Sequence, residues 1–295
     1  MTRAGAVLLL SSLIACGSDP KPPGDPDAGL DAAVVVDAAV DAAPVDSEGC
    51  RTGAGLTEGE HTFDLEGYPR RYVVRLPTGY TRDRAWPVVL ALHGNGGSVA
   101  YWDGTTGDRD IRSVLAADAI LVILEAIEGN WRDYNQPAAT WPARVELELR
   151  YVDEVVRQVR AALCVRDDGL FAMGFSGGGS FAGALACRRA DVRAIAVGGA
   201  VEYVPEADCT RPVPAWITNG AQDQAAARDA YRDLFRTLGG CAATSTPTAP
   251  APCAAYDGCA AATPVHYCEH PGGHVWPPFA SAAMWAFFQA QLPAR

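Results

Sequence analysis

The chain has 295 residues, 49% of them hydrophobic, enough for a packed core in one large α/β domain or two small ones. Its formal charge is −11, Lys21 is its only lysine and no Lys/Arg cluster occurs, which excludes a phosphate-binding face and with it nucleic acid as a partner. Nine cysteines with no C-x-x-C pair weigh against a cytosolic enzyme and against a cysteine metal site.

The first segment, "MTRAGAVLLLSSLIAC", joins a basic residue, Arg3, to an apolar run from Ala6 to Ala15. That run falls short of the roughly 20 residues a spanning helix needs, so residues 1–16 are expected to be a secretory signal. "LIAC", Leu13 to Cys16, resembles the lipobox of bacterial lipoproteins, whose cysteine is acylated and becomes the mature N-terminus. The resemblance implies lipidation at Cys16, a membrane attachment through lipid only. Gly17 stands where that family has aspartate for inner-membrane retention, which favours the outer membrane or cell surface; ordinary secretion is the alternative. Residues 17–49 are rich in Asp, Ala and Pro and hold no aromatic residue, a composition that buries too little to offset its ordering entropy. They read as a disordered acidic tether, with residues 50–295 as one catalytic domain. If Cys16 carries lipid, eight cysteines remain, which in an exported chain reads as four disulfides. On the order of 100 connectivities are open; proximity suggests Cys253 with Cys259.

Past the tether, "RRYVVRLP" (Arg70 to Pro77) alternates as an early strand does, and "PVVLALHG" (Pro87 to Gly94) and "AILVILEA" (Ala119 to Ala126) are continuous apolar runs suited to strands buried on both faces. Val145, Leu149, Val152, Val156, Val159 and Leu163 recur at four- and three-residue steps, one face of a helix. Then come strand "GLFAMGF", helix "GGSFAGALACRRA", strands "AIAVGGA" and "VPAWITNG", a helix over Ala225 to Leu238, strand "VHYCEH" and the closing helix "FASAAMWAFFQAQL". Strands alternating with helices predict an α/β fold with a mostly parallel central sheet, helices on both faces, and ligands bound beyond the carboxyl ends of the strands.

Between a predicted strand and a predicted helix, Gly174-Phe175-Ser176-Gly177-Gly178 matches G-x-S-x-G. A serine nucleophile needs that sharp turn, with small residues two before and two after it, and a histidine held in the right tautomer by an acid. Of five histidines, His61, His266 and His270 have structural readings, whereas His274 lies in the loop "PGGHVWP" after the last predicted strand, where the chain order serine, acid, histidine places the base. Asp223, just past the strand "VPAWITNG", is the expected acid. Asp229 and Asp233 fall on a solvated helix face, and Asp208 and Asp257 in cysteine-bearing loops. "LHGNGGS", Leu92 to Ser98, is an HGGG-type loop in which Asn95 replaces a glycine, so the backbone N–H groups of Asn95 and Gly177 are the expected oxyanion donors and His93 orients the loop. Trp102, Trp131, Tyr134 and Trp276 could line a cleft; Trp131 and Trp276, in loops after strands, are the expected substrate contacts. No metal-ligand spacing and no G-x-G-x-x-G occurs, so no metal and no cofactor is expected.

On "LHGNGGS", "GFSGGGS", "NGAQD" and "GGHVWP", the stretch Thr62 to Leu292 resembles the secreted esterases related to polyhydroxybutyrate depolymerases and feruloyl or acetylxylan esterases, within the α/β-hydrolase fold. Gly-Gly-His-x-Trp-Pro is the most specific of these motifs. The resemblance implies Ser176 as nucleophile, Asp223 as acid and His274 as base, with an ester of plant polysaccharide or a short polyester as substrate. Two departures stand out: Gly177, where the family often has Asn, and a cysteine-bearing Ala/Thr/Pro-rich insertion from Cys241 to Cys268. A catalytically silent binding scaffold and a serine acyltransferase or peptidase are the other readings, and a monomer is expected.

Overall fold

A computed structural model describes residues 46–294, except 54 and 224. The signal segment, Cys16 and residues 17–45 of the expected tether lie outside the described residues. In chain order the elements are β1 (Gly59–Leu65), β2 (Tyr68–Arg75), β3 (Trp86–Leu92), α1 (Arg112–Leu115), β4 (Ile120–Leu124), α2 (Trp141–Ala162), β5 (Val165–Phe175), α3 (Gly177–Arg188), β6 (Val192–Gly198), β7 (Ala215–Gly220), α4 (Ala225–Leu238), β8 (Ser245–Pro247), β9 (Cys253–Tyr256), β10 (Val265–His270) and α5 (Ala280–Ala290).

The ten strands form one sheet in the order β1-β2-β4-β3-β5-β6-β7-β10-β9-β8. Its centre, from β4 through β10, is parallel; β1 and β2 at one edge and β9 and β8 at the other are antiparallel. Both faces are covered, which is why β3 and β4 are apolar at every position. Val88, Leu90 and Leu92 pack with α2 and α3 on one face, while Val89 and Ala91 pack with α5 on the other. The sheet with two helical layers is the expected architecture.

Strand β1 is absent from the sequence-based expectation because it is half exposed, "GEHTFDL", with no fully buried position. β8 and β9 come from the Ala/Thr/Pro-rich insertion, which extends the sheet past β10. Four disulfides join Cys50–Cys164, Cys187–Cys209, Cys241–Cys259 and Cys253–Cys268. The pairing of Cys253 with Cys259 is thereby corrected: the antiparallel register of β9 on β10 sets Cys253 opposite Cys268, and Cys259, in the turn beyond β9, meets Cys241 after α4. The expected end of the tether also shifts. Ser47 N–H donates to Val165 O at 3.0 Å, its Oγ–H donates to Leu163 O at 2.7 Å, and Gly49 packs so closely that a Cβ would come 2.1 Å from Leu163 O. Packed chain therefore begins ahead of Cys50.

Candidate active site

Strand β5 ends at Phe175 and α3 begins at Gly177, so Ser176 alone makes the turn, at φ 55° and ψ −124°. A non-glycine residue enters that region only when its surroundings enforce it. The enforcement is close packing: a Cβ on Gly174 would come 2.4 Å from the backbone of Gly178, and one on Gly178 would come 2.1 Å from Leu92 O. Only hydrogen fits at either position. The turn lifts Ser176 Oγ out of the sheet to within 2.8 Å of His274 Nε2.

His274 sits in the loop between β10 and α5, and its Nδ1 is 2.6 Å from Asp223 Oδ2. A carboxylate only accepts, so the ring proton lies on Nδ1 and leaves Nε2 to accept the Ser176 hydroxyl proton. Gly199, at φ 59°, gives the ring its space; a Cβ there would come 2.5 Å from His274 Cε1. The imidazole side chain is 37% exposed and the Asp223 side chain 7%. Water thus reaches the histidine while the acid is shielded.

Arg228, on the first turns of α4, donates from Nε to Asp223 Oδ2 at 3.1 Å. Its Nη2 lies 3.4 Å from His274 Nδ1, a contact rather than a hydrogen bond, since that nitrogen's proton already points at the carboxylate. Burial raises the Asp223 pKa, but the hydrogen bond from His274 and the charge of Arg228 outweigh it and hold the group below the ordinary carboxylate value. Sequence reasoning missed Arg228. The available signal was its place one turn into the helix that follows the acid loop.

Gly177 is the first residue of α3, so its N–H has no carbonyl partner within the helix and is free to meet an oxyanion. The exposed Asn95 faces it, close enough that a Cβ on Gly177 would come 1.9 Å from Asn95 Oδ1. This bears on the first departure noted above: with asparagine at 95 in this position, a side chain at 177 would have to displace the Asn95 amide. The loop carrying Asn95 is fixed from below. His93 is fully buried; its Nδ1–H donates to Gly94 O at 2.7 Å, and Ala126 N–H donates to its Nε2 at 3.1 Å. Burial pushes its pKa down, which keeps the ring neutral as that second bond requires. Gly96 N–H donates to Gly129 O at 2.8 Å, backing the loop with the turn after β4.

Trp131 and Trp276 do not line a cleft; this expectation is corrected. Trp131 is fully buried, stacked on Phe181 at 4.7 Å, and its Nε1–H donates to His93 O at 2.8 Å. Trp276 is 4% exposed, packed edge-on to Trp102, with its Nε1–H donating to Ser281 Oγ. Trp102 is buried too, donating to Leu92 O at 2.9 Å. An indole is large enough to satisfy both packing and a hydrogen bond from the interior, and here the indoles hold strand ends and loops in place. Of the four aromatic candidates only Tyr134, 41% exposed, faces solvent.

The geometry is one that can shuttle a proton from serine to histidine while an oxyanion is held beside it. Residues 67–234, more than half of the chain, match the family described as "Esterase". Feruloyl esterase D of Neurospora crassa is 27% identical over 276 residues, covering 84% of this chain and 91% of that one. Feruloyl esterase C of Emericella nidulans is 27% identical over 268 residues, covering 83% and 91%. Among solved structures, a ferulic acid esterase from Anaeromyces mucronatus in complex with ferulic acid superposes with a TM-score of 0.56 at 15% identity, over 79% of this chain and 89% of that one. That likeness shows the α/β-hydrolase fold.

Proposed function

The chain belongs to the esterase family and is a carboxylic ester hydrolase; on that premise we propose that it works as a serine esterase with Ser176 as nucleophile, His274 as base and Asp223 as the acid that holds it. The observation that carries the reading is the hydrogen-bonded chain from Ser176 Oγ through His274 to Asp223. As Oγ bonds to the ester carbonyl carbon, its proton passes to His274 Nε2, and the carbonyl oxygen takes the negative charge between the N–H groups of Gly177 and Asn95. Collapse of this intermediate breaks the bond to the alcohol, which leaves with the proton from His274. Water then gives its proton to His274 and attacks the acyl-enzyme, releasing the acid and restoring Ser176. Asp223 stays ionised throughout and stabilises the imidazolium.

The named relatives support a hydroxycinnamoyl ester, such as a ferulate on polysaccharide, as the substrate, and the exposure of His274 suits a group carried on a polymer. Export through the segment 1–16, with Cys16 as lipid attachment and a tether ending near residue 46, fits the eight cysteines joined as four disulfides. Hydrolysis of methyl ferulate and of 4-nitrophenyl acetate by the purified protein and by Ser176→Ala tests the chemistry. Wild type should hydrolyse both, and the variant should lose at least about 10³-fold in kcat; a variant that keeps its rate contradicts the assignment.

A further inference from the structure

Arg132 carries a charge that nothing in the mechanism uses. Its guanidinium carbon lies 4.6 Å from the ring centre of Tyr134, 4.0 Å from that of Trp141 and 4.3 Å from that of Tyr203. Its Nε is buried without a hydrogen bond, and among the described residues no carboxylate forms an ion pair with it; the adjacent Asp133 pairs instead with Arg144 at 3.5 Å. Three aromatic faces hold the guanidinium in place without neutralising it.

The cluster adjoins the nucleophile. Arg132 and Tyr134 lie in the loop after β4, Trp141 opens α2 and Tyr203 follows β6, all beyond the same strand ends as Ser176. The hydroxyls of Tyr134 and Tyr203 are hydrogen-bonded to each other, the Tyr203 hydroxyl faces the Asn95 side chain, and Asn95 covers Gly177. One side chain therefore separates the cluster from the proposed oxyanion site. From residue 51 onward acidic residues only modestly outnumber basic ones, and an unpaired guanidinium here is a local source of positive potential that an anion can use.

We propose that Arg132, walled by Tyr134, Trp141 and Tyr203, is a carboxylate-binding subsite, and that the preferred ester carries a carboxylate close to the scissile bond. The inference rests on the serine esterase reading above. A guanidinium presents its N–H donors along its edge in a fork that matches a carboxylate. Held in advance by the rings, the fork loses little freedom on binding. The carboxylate can belong to the acyl part, as in a dicarboxylic half-ester, or to the alcohol part, as in an ester of a uronic acid residue.

Two matched pairs of esters separate these sources. 4-Nitrophenyl hydrogen succinate against its methyl-capped diester varies the charge on the acyl side; 4-acetoxybenzoate against methyl 4-acetoxybenzoate varies it on the alcohol side. Wild type should favour the charged member of at least one pair by about tenfold or more in kcat/KM, and 0.5 M salt should shrink that preference. Arg132→Gln should abolish it, Arg132→Lys should retain part of it, and the neutral members should change by less than about threefold, which also reports that the variants are folded. Equal rates on both members of both pairs in wild type, or an equal loss on charged and neutral members in Arg132→Gln, overturns the proposal. If the neutral esters are turned over at the same rate by Ser176→Ala, it is the serine reading that fails instead.

Discussion

At the scale of single residues, the site is built from contacts that leave no spare volume. The conformation of Ser176 costs on the order of 1–3 kcal/mol, and the packing around Gly174 and Gly178 sustains it. The further glycine, Gly179, belongs to the same packing, with a Cβ there 3.1 Å from both Gly174 O and Gly198 O. Gly177→Ala is the sharpest local test, because the added methyl must displace the Asn95 amide. It should lower kcat by about 10- to 100-fold as the oxyanion donors part, with Tm falling only a few degrees. Arg228 acts at a distance from the substrate, through Asp223. Arg228→Ala removes the charge that helps hold Asp223 ionised, so the loss of activity on acidification should begin at higher pH than in wild type, and Arg228→Lys should restore the profile in part. An unchanged pH profile would make Arg228 a packing residue only.

Among elements, the loop after β3 shows how buried side chains far from the substrate set a site. Trp131→Phe keeps the stacking on Phe181 but leaves the His93 carbonyl without its donor, a buried loss of about 1–3 kcal/mol. It should lower kcat more than it changes KM. His93 gives the same loop a pH limit. Burial holds His93, His266 and His270 below the ordinary histidine value, so below about pH 6.5 the unfolded chain takes up protons that the folded chain refuses. Stability from these groups is full above that pH and lost as pH falls; Tm should hold above about pH 6.5 and drop as the pH is taken below it, most steeply in wild type and less in a His266→Phe variant. The turn at Ser176 and the loop carrying Asp223 were legible in the sequence because each follows a buried strand end with glycine, whereas the His274 loop follows the partly exposed "VHYCEH" and was marked by its own paired glycines. Trp131 and Trp276 were misread for a physical reason: a tryptophan in a loop has the same sequence signature whether it faces a ligand or, as here, turns inward to a backbone carbonyl. Arg228 meets His274, and Arg132 meets Tyr203, only in the fold.

For the whole molecule, the central sheet was legible from continuous apolar runs, whereas the edges were not. β1 buries no position fully, and β8 and β9 are short strands within an Ala/Thr/Pro-rich stretch whose pairing depends on β10. Disulfide connectivity is equally non-local: Cys253 passes over its neighbour Cys259 because the sheet register, not chain distance, decides what it meets. Cys50–Cys164 spans 114 residues and ties the first packed segment to the connection between α2 and β5. Removing it as the double serine variant should cost about 4–5 kcal/mol, or a fall in Tm of about 10 °C or more for a domain of this size, with kcat near wild type at low temperature. The central claim is that one serine carries the acyl group. Labelling the protein with a fluorophosphonate and mapping the modified peptide by mass spectrometry tests it directly: the account predicts one stoichiometric adduct on Ser176, prevented by Ser176→Ala, and an adduct on any other residue, or full ester hydrolysis after Ser176 is labelled, would contradict it.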